Sequence, residues 1–119
     1  MGRRQCGLLR KIISMQHLND VKGKEIVPGL YGRFVHGETM TLSFVEIQQG
    51  TQMPEHSHPN EQITYMMEGE LEMIIGGEKM VLTPGMVHVI PGNTPHSAYA
   101  RTAVKVLDAF SPVREDYRL

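Results

Sequence analysis

Hydrophobic and polar positions alternate in short runs along this chain. Stretches rich in Val, Ile, Thr, Tyr and Met recur as "YGRFVHG", "MTLSFVEI", "QITYMME", "LEMII", "KMVL", "MVHVI", "HSAYA" and "AVKVLDAF". Glycine or proline separates them about every six to ten residues. Successive side chains of a strand face opposite sides, so period-two runs of this length predict half-buried strands. Many short strands at regular spacing predict an all-β sandwich or barrel. In "EGELEMIIGGEKMVL", Gly69 and Gly76-Gly77 read as the turns of two hairpins in series. No apolar pattern of ten residues has the 3.6 period of a helix. The polar segment "QHLNDVKGKEIVPG" is expected to be irregular and to precede the first strand.

Length and charge narrow the picture. At 119 residues the chain suffices for one core. Residues 1–18 read as an N-terminal arm and 19–119 as a single domain. Twelve basic against thirteen acidic residues give a net charge of −1. That balance offers nothing to nucleic acid or to an anionic membrane surface. No apolar run is long enough to span a bilayer. Cys6 is the one cysteine, so neither an internal disulfide nor a CxxC zinc or redox motif can form. The "MGRRQCGLLRKIISM" terminus is too interrupted by charge to read as a signal peptide. A cytoplasmic protein is expected, with Met15 an alternative start. The nine methionines are expected to fill the core.

Candidate chemistry concentrates in "GTQMPEHSHPNEQITYMMEG". His56 and His58 share parity and would project together from an extended segment. Gln62 has the same parity if extended geometry continues past Pro59, whereas Glu61 would point away. His96 follows the turn "IPGNTP" and could open another strand. Three imidazoles and an amide oxygen converging inside a small barrel suit a borderline transition metal. HxH by itself is weak evidence, because neighbouring strand histidines are often merely solvated.

The surrounding spacing adds to it. Gly50, five residues, His56-x-His58, three residues, Gln62, six residues and Gly69 form one frame. Gly85, five residues, Pro91, four residues and His96 form a second. Together these frames resemble the two motifs of the cupins over roughly residues 30–111. The resemblance implies a double-stranded β-helix, or jelly-roll barrel. It also implies one divalent metal ion per chain, held by His56, His58, Gln62 and His96. Zinc or nickel suits that donor set best, with manganese and iron open. Three departures stand out. Gln62 replaces the usual glutamate, Asn93 a glycine and Ala100 an asparagine. An all-neutral donor set leaves the metal charge uncompensated, which favours an anionic substrate. His17, His36 and His88 have no place in the pattern and read as surface or packing residues.

The C-terminal "VLDAFSPVREDY" is similar to the end of the KdgF family, small cupins of pectin and alginate breakdown. That resemblance implies ring opening of 4,5-unsaturated monouronates to 5-keto-4-deoxyuronate. It assigns catalytic and binding roles to Asp108, Phe110 and Arg114. Arg33, in "YGRFVHGE", is a further pocket candidate. The expected partners are a small anionic sugar and a second copy of the chain. Two other readings stay open: a cupin dioxygenase or oxidase, and a non-catalytic sugar- or anion-binding cupin.

Overall fold

The structure is a computed structural model and describes residues 15–118. Most of the N-terminal arm, Cys6 included, lies outside the described residues. Ten strands follow in chain order: β1 (Gly23–Val27), β2 (Leu30–His36), β3 (Thr41–Ile47), β4 (Gln52–His56), β5 (Glu61–Glu68), β6 (Leu71–Ile75), β7 (Glu78–Leu82), β8 (Val87–Ile90), β9 (His96–Ala100) and β10 (Val104–Ser111). Two single 3-10 turns, Leu18–Asp20 and Glu115–Tyr117, are the helical elements among the described residues. A six-stranded sheet runs β1-β2-β3-β10-β5-β8, and a four-stranded sheet runs β4-β9-β6-β7. Every ladder is antiparallel. This is the jelly roll that the run-and-turn rhythm and the motifs imply.

The strand alternation appears directly as burial. Along β3, Thr41, Ser43, Val45 and Ile47 are buried, and along β5 so are Gln62, Thr64 and Met66. One end of the barrel is apolar, built on Leu30, Val45, Met66, Leu71 and Val106. Met66 and Met73 sit inside this core and Met53 and Met80 pack against it, but Met15, Met40, Met67 and Met86 are exposed, so the expectation that the methionines fill the core holds only in part. Toward the other end the inward positions turn polar, at Thr41, Ser43, Gln62, Thr64 and His96. A polar group taken out of water must find a partner. The polar end of the barrel is therefore where a built site belongs.

Two sequence expectations need correction. "KGKEIVPG" is not irregular, because its Gly23–Val27 portion pairs with β2 through a Pro28-Gly29 turn, Gly29 taking φ 90°. "EGELEMII" is not a hairpin either. Gly69 does turn the chain, at φ 89°, but it carries it from β5 in one sheet to β6 in the other. The β6–β7 hairpin over Gly76-Gly77 forms as expected.

The outer face of the larger sheet is apolar where solvent would favour polarity. Register places Val89, Ile63, Ala109, Leu42 and Val35 in one cross-strand row. Val87, Tyr65, Leu107 and Phe44 form the next row. Ile63, Tyr65, Val87 and Val89 are all exposed. No helix among the described residues is long and apolar enough to cross a membrane.

Candidate functional site

Three histidines meet at the polar end, on a physical basis different from strand parity. β4 ends at His56, so His58 lies in the loop that crosses to the other sheet. Gln62 then belongs to β5, in the sheet opposite His56. The residues converge because the loop spans the barrel, not because one strand continues past Pro59. His96 opens β9 directly opposite His56. The His56 and His96 ring centroids are 4.3 Å apart, and those of His58 and His96 are 5.0 Å apart.

A backbone carbonyl faces one ring nitrogen of each histidine. His56 Nδ1 lies 2.9 Å from Pro54 O, His58 Nδ1 3.0 Å from Asn60 O and His96 Nδ1 2.7 Å from Thr94 O. A carbonyl only accepts, so these partners assign the proton to Nδ1 and leave each Nε2 with a lone pair. Burial holds His58 and His96 below the usual imidazole range, with the Arg114 charge adding to the effect. His58 Nε2 then faces Gln62 Oε1 at 3.1 Å. Two lone-pair atoms repel at that separation unless a cation or proton lies between them. The ligating atoms of His56, His58 and His96 lie within 4.8 Å of one another, so the cluster could hold a metal ion.

Gln62 continues the network on its other side. Its Nε2 donates to Thr64 Oγ1 at 2.9 Å and to Asp108 Oδ1 at 3.2 Å. Thr64 Oγ1 donates to the same Asp108 oxygen at 2.7 Å. Register explains the meeting, since Gln62 pairs with Phe110 and Thr64 with Asp108 across the β5–β10 ladder. Burial pushes the Asp108 carboxyl up to about 6, against the opposing pull of Thr64, Gln62 and the Arg114 charge. Phe110 meets the His58 ring edge-on at 5.5 Å. Arg114 is buried, its guanidinium 4.7 Å from the Phe110 ring centre and 3.9 Å from that of Tyr117.

Comparison with known proteins agrees with this geometry. The cupin-domain family pattern matches residues 43–110, more than half of the chain. This chain is a cupin of the KdgF type. A relative is the pectin degradation protein KdgF of Dickeya dadantii, 33% identical over 82 residues that cover 67% of this chain and 74% of that protein. The solved structure of KdgF from Halomonas sp. superimposes with a TM-score of 0.80 at 30% identity, covering 87% of this chain and 98% of the other. An RmlC-like cupin from Shewanella frigidimarina gives a TM-score of 0.83 at 25% identity, covering 89% and 96%.

Within this KdgF-type cupin, the Asn93 departure from the common motif acquires a reason. Asn93 stands at φ 63°, a left-handed conformation that asparagine tolerates in place of glycine. Its N–H donates to His58 O at 2.7 Å, which fastens the second motif to the first. At neighbouring Gly92 a Cβ would collide with Pro59 O, so that contact needs glycine.

Arg114 and Arg33 differ from their expected settings. The Nε–Nη2 edge of Arg114 is already taken by Asp116, at 3.0 and 2.7 Å. Burial alone would lower the Arg114 pKa, but Asp116 and Tyr117 outweigh it and raise it. An incoming anion would meet the remaining Nη1–Nη2 edge. Arg33 does not reach the site. Its neighbours Gly32 and Phe34 point inward, and it lies outside beside Glu46 (3.9 Å) and Tyr31. There it lines an open groove of about 660 Å³ that contains none of the other candidates. His17 caps the first 3-10 turn, and His36 bonds Thr41 Oγ1 at 2.8 Å.

The inner cavity beside Asp108, Phe110 and Tyr117 holds only about 70 Å³. Ligand pockets commonly need roughly 300–1,000 Å³. A ligand of that size would therefore lie across the mouth, with the cavity taking a water or two. Thr64 and Tyr117 line this cavity and are not among the residues the sequence singles out. Tyr117 stacks on Phe34 at 4.4 Å and extends the Phe110 wall. Period-two alternation is the signal that could have found Thr64, which lies between Gln62 and Met66 on the same face.

Proposed function

We propose that this cupin opens the ring of a 4,5-unsaturated monouronate in a metal-assisted reaction, giving the linear 5-keto-4-deoxyuronate. The observation that carries the reading is the link from the histidine cluster through the Gln62 amide to Asp108. It couples a metal-competent set of donors to a carboxyl near 6, a value suited to proton transfer near neutrality. KdgF likeness supports the same reading, because the Dickeya dadantii relative is a pectin degradation protein by name.

His56, His58, Gln62 and His96 would hold the ion, and their nitrogen and amide-oxygen set suits zinc or nickel, then manganese or iron. A bound dication supplies Lewis acidity toward a substrate or water oxygen. Arg114 takes the substrate carboxylate on its free edge. Phe110 and Tyr117 flank the sugar ring. Protonated Asp108 gives its proton to C4 of the enol ether, and water adds at C5. The resulting hemiketal collapses by breaking the C5–O bond, which leaves a ketone at C5 and a hydrated aldehyde at C1. Loss of water from that hydrate returns the molecule consumed, so the reaction is a net isomerisation.

The test is ultraviolet absorbance. The conjugated enol ether absorbs, and wild-type protein should bleach it well above the spontaneous rate. Asp108→Asn should lower turnover roughly 10²–10⁴-fold, the usual loss for a general acid or base, with metal content unchanged. No bleaching by metal-loaded wild-type protein would defeat the reading.

We also propose a homodimer. The apolar outer face of the larger sheet, with Ile63, Tyr65, Val87 and Val89 exposed in adjacent rows, is a contiguous patch of the kind that marks an interface. A second copy of the same face is its proposed cover.

A further inference from the structure

We infer that Asn60 is a positioning residue that fixes Arg114 relative to the metal ligand His58. Asn60 is only 5% exposed and sits in the loop between β4 and β5. Its backbone carbonyl receives His58 Nδ1–H at 3.0 Å. Its side-chain Nδ2 reaches far along the chain to donate to Pro112 O at 2.6 Å, with Val113 O at 3.5 Å. Those carbonyls immediately precede Arg114. One residue thus touches the metal cluster through its main chain and the arginine arm through its side chain.

The arm has few other anchors. The β10 ladder ends at Ser111. Beyond it, the N–H groups of Tyr117 and Arg118 bond only within the arm, to Arg114 O and Glu115 O. The Arg114 N–H donates to Thr41 Oγ1 at 3.0 Å on the opposite side. Asn60 and Thr41 therefore hold the segment from two directions, aided by buried Val113 and the Tyr117–Phe34 stack. Chemistry restricts what can stand at 60. The Pro112 carbonyl needs a donor on a short side chain. Aspartate has the same shape but would set a carboxylate oxygen against a carbonyl oxygen at 2.6 Å. A guanidinium shifted by an ångström misplaces the anion it holds, and such errors cost rate steeply.

The link between Asn60 and the arm is independent of substrate, whereas its consequence for binding rests on the proposed function. Two measurements separate them. Amide hydrogen exchange compares wild type with Asn60→Asp and Asn60→Ala. Exchange at 113–118, the Arg114 amide included, should quicken about tenfold or more in both variants, while the amides of Met66 and Val106 keep their protection. Unchanged exchange at 113–118 would overturn the inference. Steady-state bleaching of an unsaturated monouronate then gives a double-mutant cycle with Arg114→Ala. Asn60→Ala should raise KM about tenfold and change kcat by less than about threefold. In the Arg114→Ala background it should cost almost nothing, because its effect runs through that arginine. Full additivity would also overturn the inference. If wild-type protein bleaches no uronate, the proposed function fails, and exchange at the Arg114 amide still decides whether Asn60 fixes the arm.

Discussion

Asp108→Asn should make the metal-free protein less sensitive to pH, in a direction opposite to most carboxylates. The folded protein holds the Asp108 carboxyl at about 6, against an ordinary value of 3.8, because burial penalises the charge. A carboxyl raised on folding contributes stability that is fully present below its unfolded pKa. That contribution is lost as pH rises through the folded pKa. The window therefore runs from about pH 4 to about pH 6. One pKa unit is worth about 1.4 kcal/mol, so a shift of roughly two units corresponds to about 3 kcal/mol. Asparagine keeps the shape and cannot ionise, so it should escape this loss. The assay is urea unfolding of both proteins, stripped of metal by chelator, followed by circular dichroism at pH 4 and pH 8. Groups common to both proteins cancel in the comparison. Relative to wild type, the variant should gain roughly 2–3 kcal/mol on going from pH 4 to pH 8. A difference that does not change with pH would refute the buried, raised carboxyl, and with it the case for Asp108 as a neutral-pH acid.

Three further outcomes follow from the same geometry. His58→Ala removes a nitrogen that faces Gln62 Oε1 at 3.1 Å; elemental analysis after metal loading should show well below one ion per chain, against about one for wild type. Arg114→Lys keeps the charge but loses the planar fork that grips Asp116 and, by proposal, the substrate carboxylate. Its KM should rise by about tenfold and its kcat should fall less, and equal loss in both would point to a catalytic rather than binding role. Tyr65→Lys places a charge in the middle of the exposed apolar face. Light scattering should report a dimer for wild type and a monomer for the variant, and a wild-type monomer would end the dimer proposal.

Much of the fold was legible because its signal is local. A half-buried strand shows itself as period-two alternation, and β3, β5 and β10 all carry it. β1 escaped because it lies at the edge of its sheet and no residue of "GKEIV" is fully buried. Without a buried face, a strand leaves no hydrophobic pattern to read. The hairpin misreading at Gly69 has a related cause. A glycine at positive φ announces a turn, but not which sheet the chain enters next. Asn60 and Tyr117 were hidden for a different reason. Their partners, Pro112 for one and Phe34 for the other, are remote in sequence.

Gln62 shows how far spacing can go. The sequence places an amide where cupins more often have a carboxylate, and charge alone suggests a metal left more electrophilic. The strand register adds a second constraint. Gln62 has to accept nothing from His58 yet lend its oxygen toward the same point, and it must donate from its nitrogen to Asp108 at 3.2 Å. A glutamate could do the first and not the second. It would set two carboxylates against each other in a buried setting, and one of them would have to take up a proton. An amide meets both demands with a single orientation. This departure from the common motif therefore lets the histidine cluster and the Asp108 carboxyl share a network.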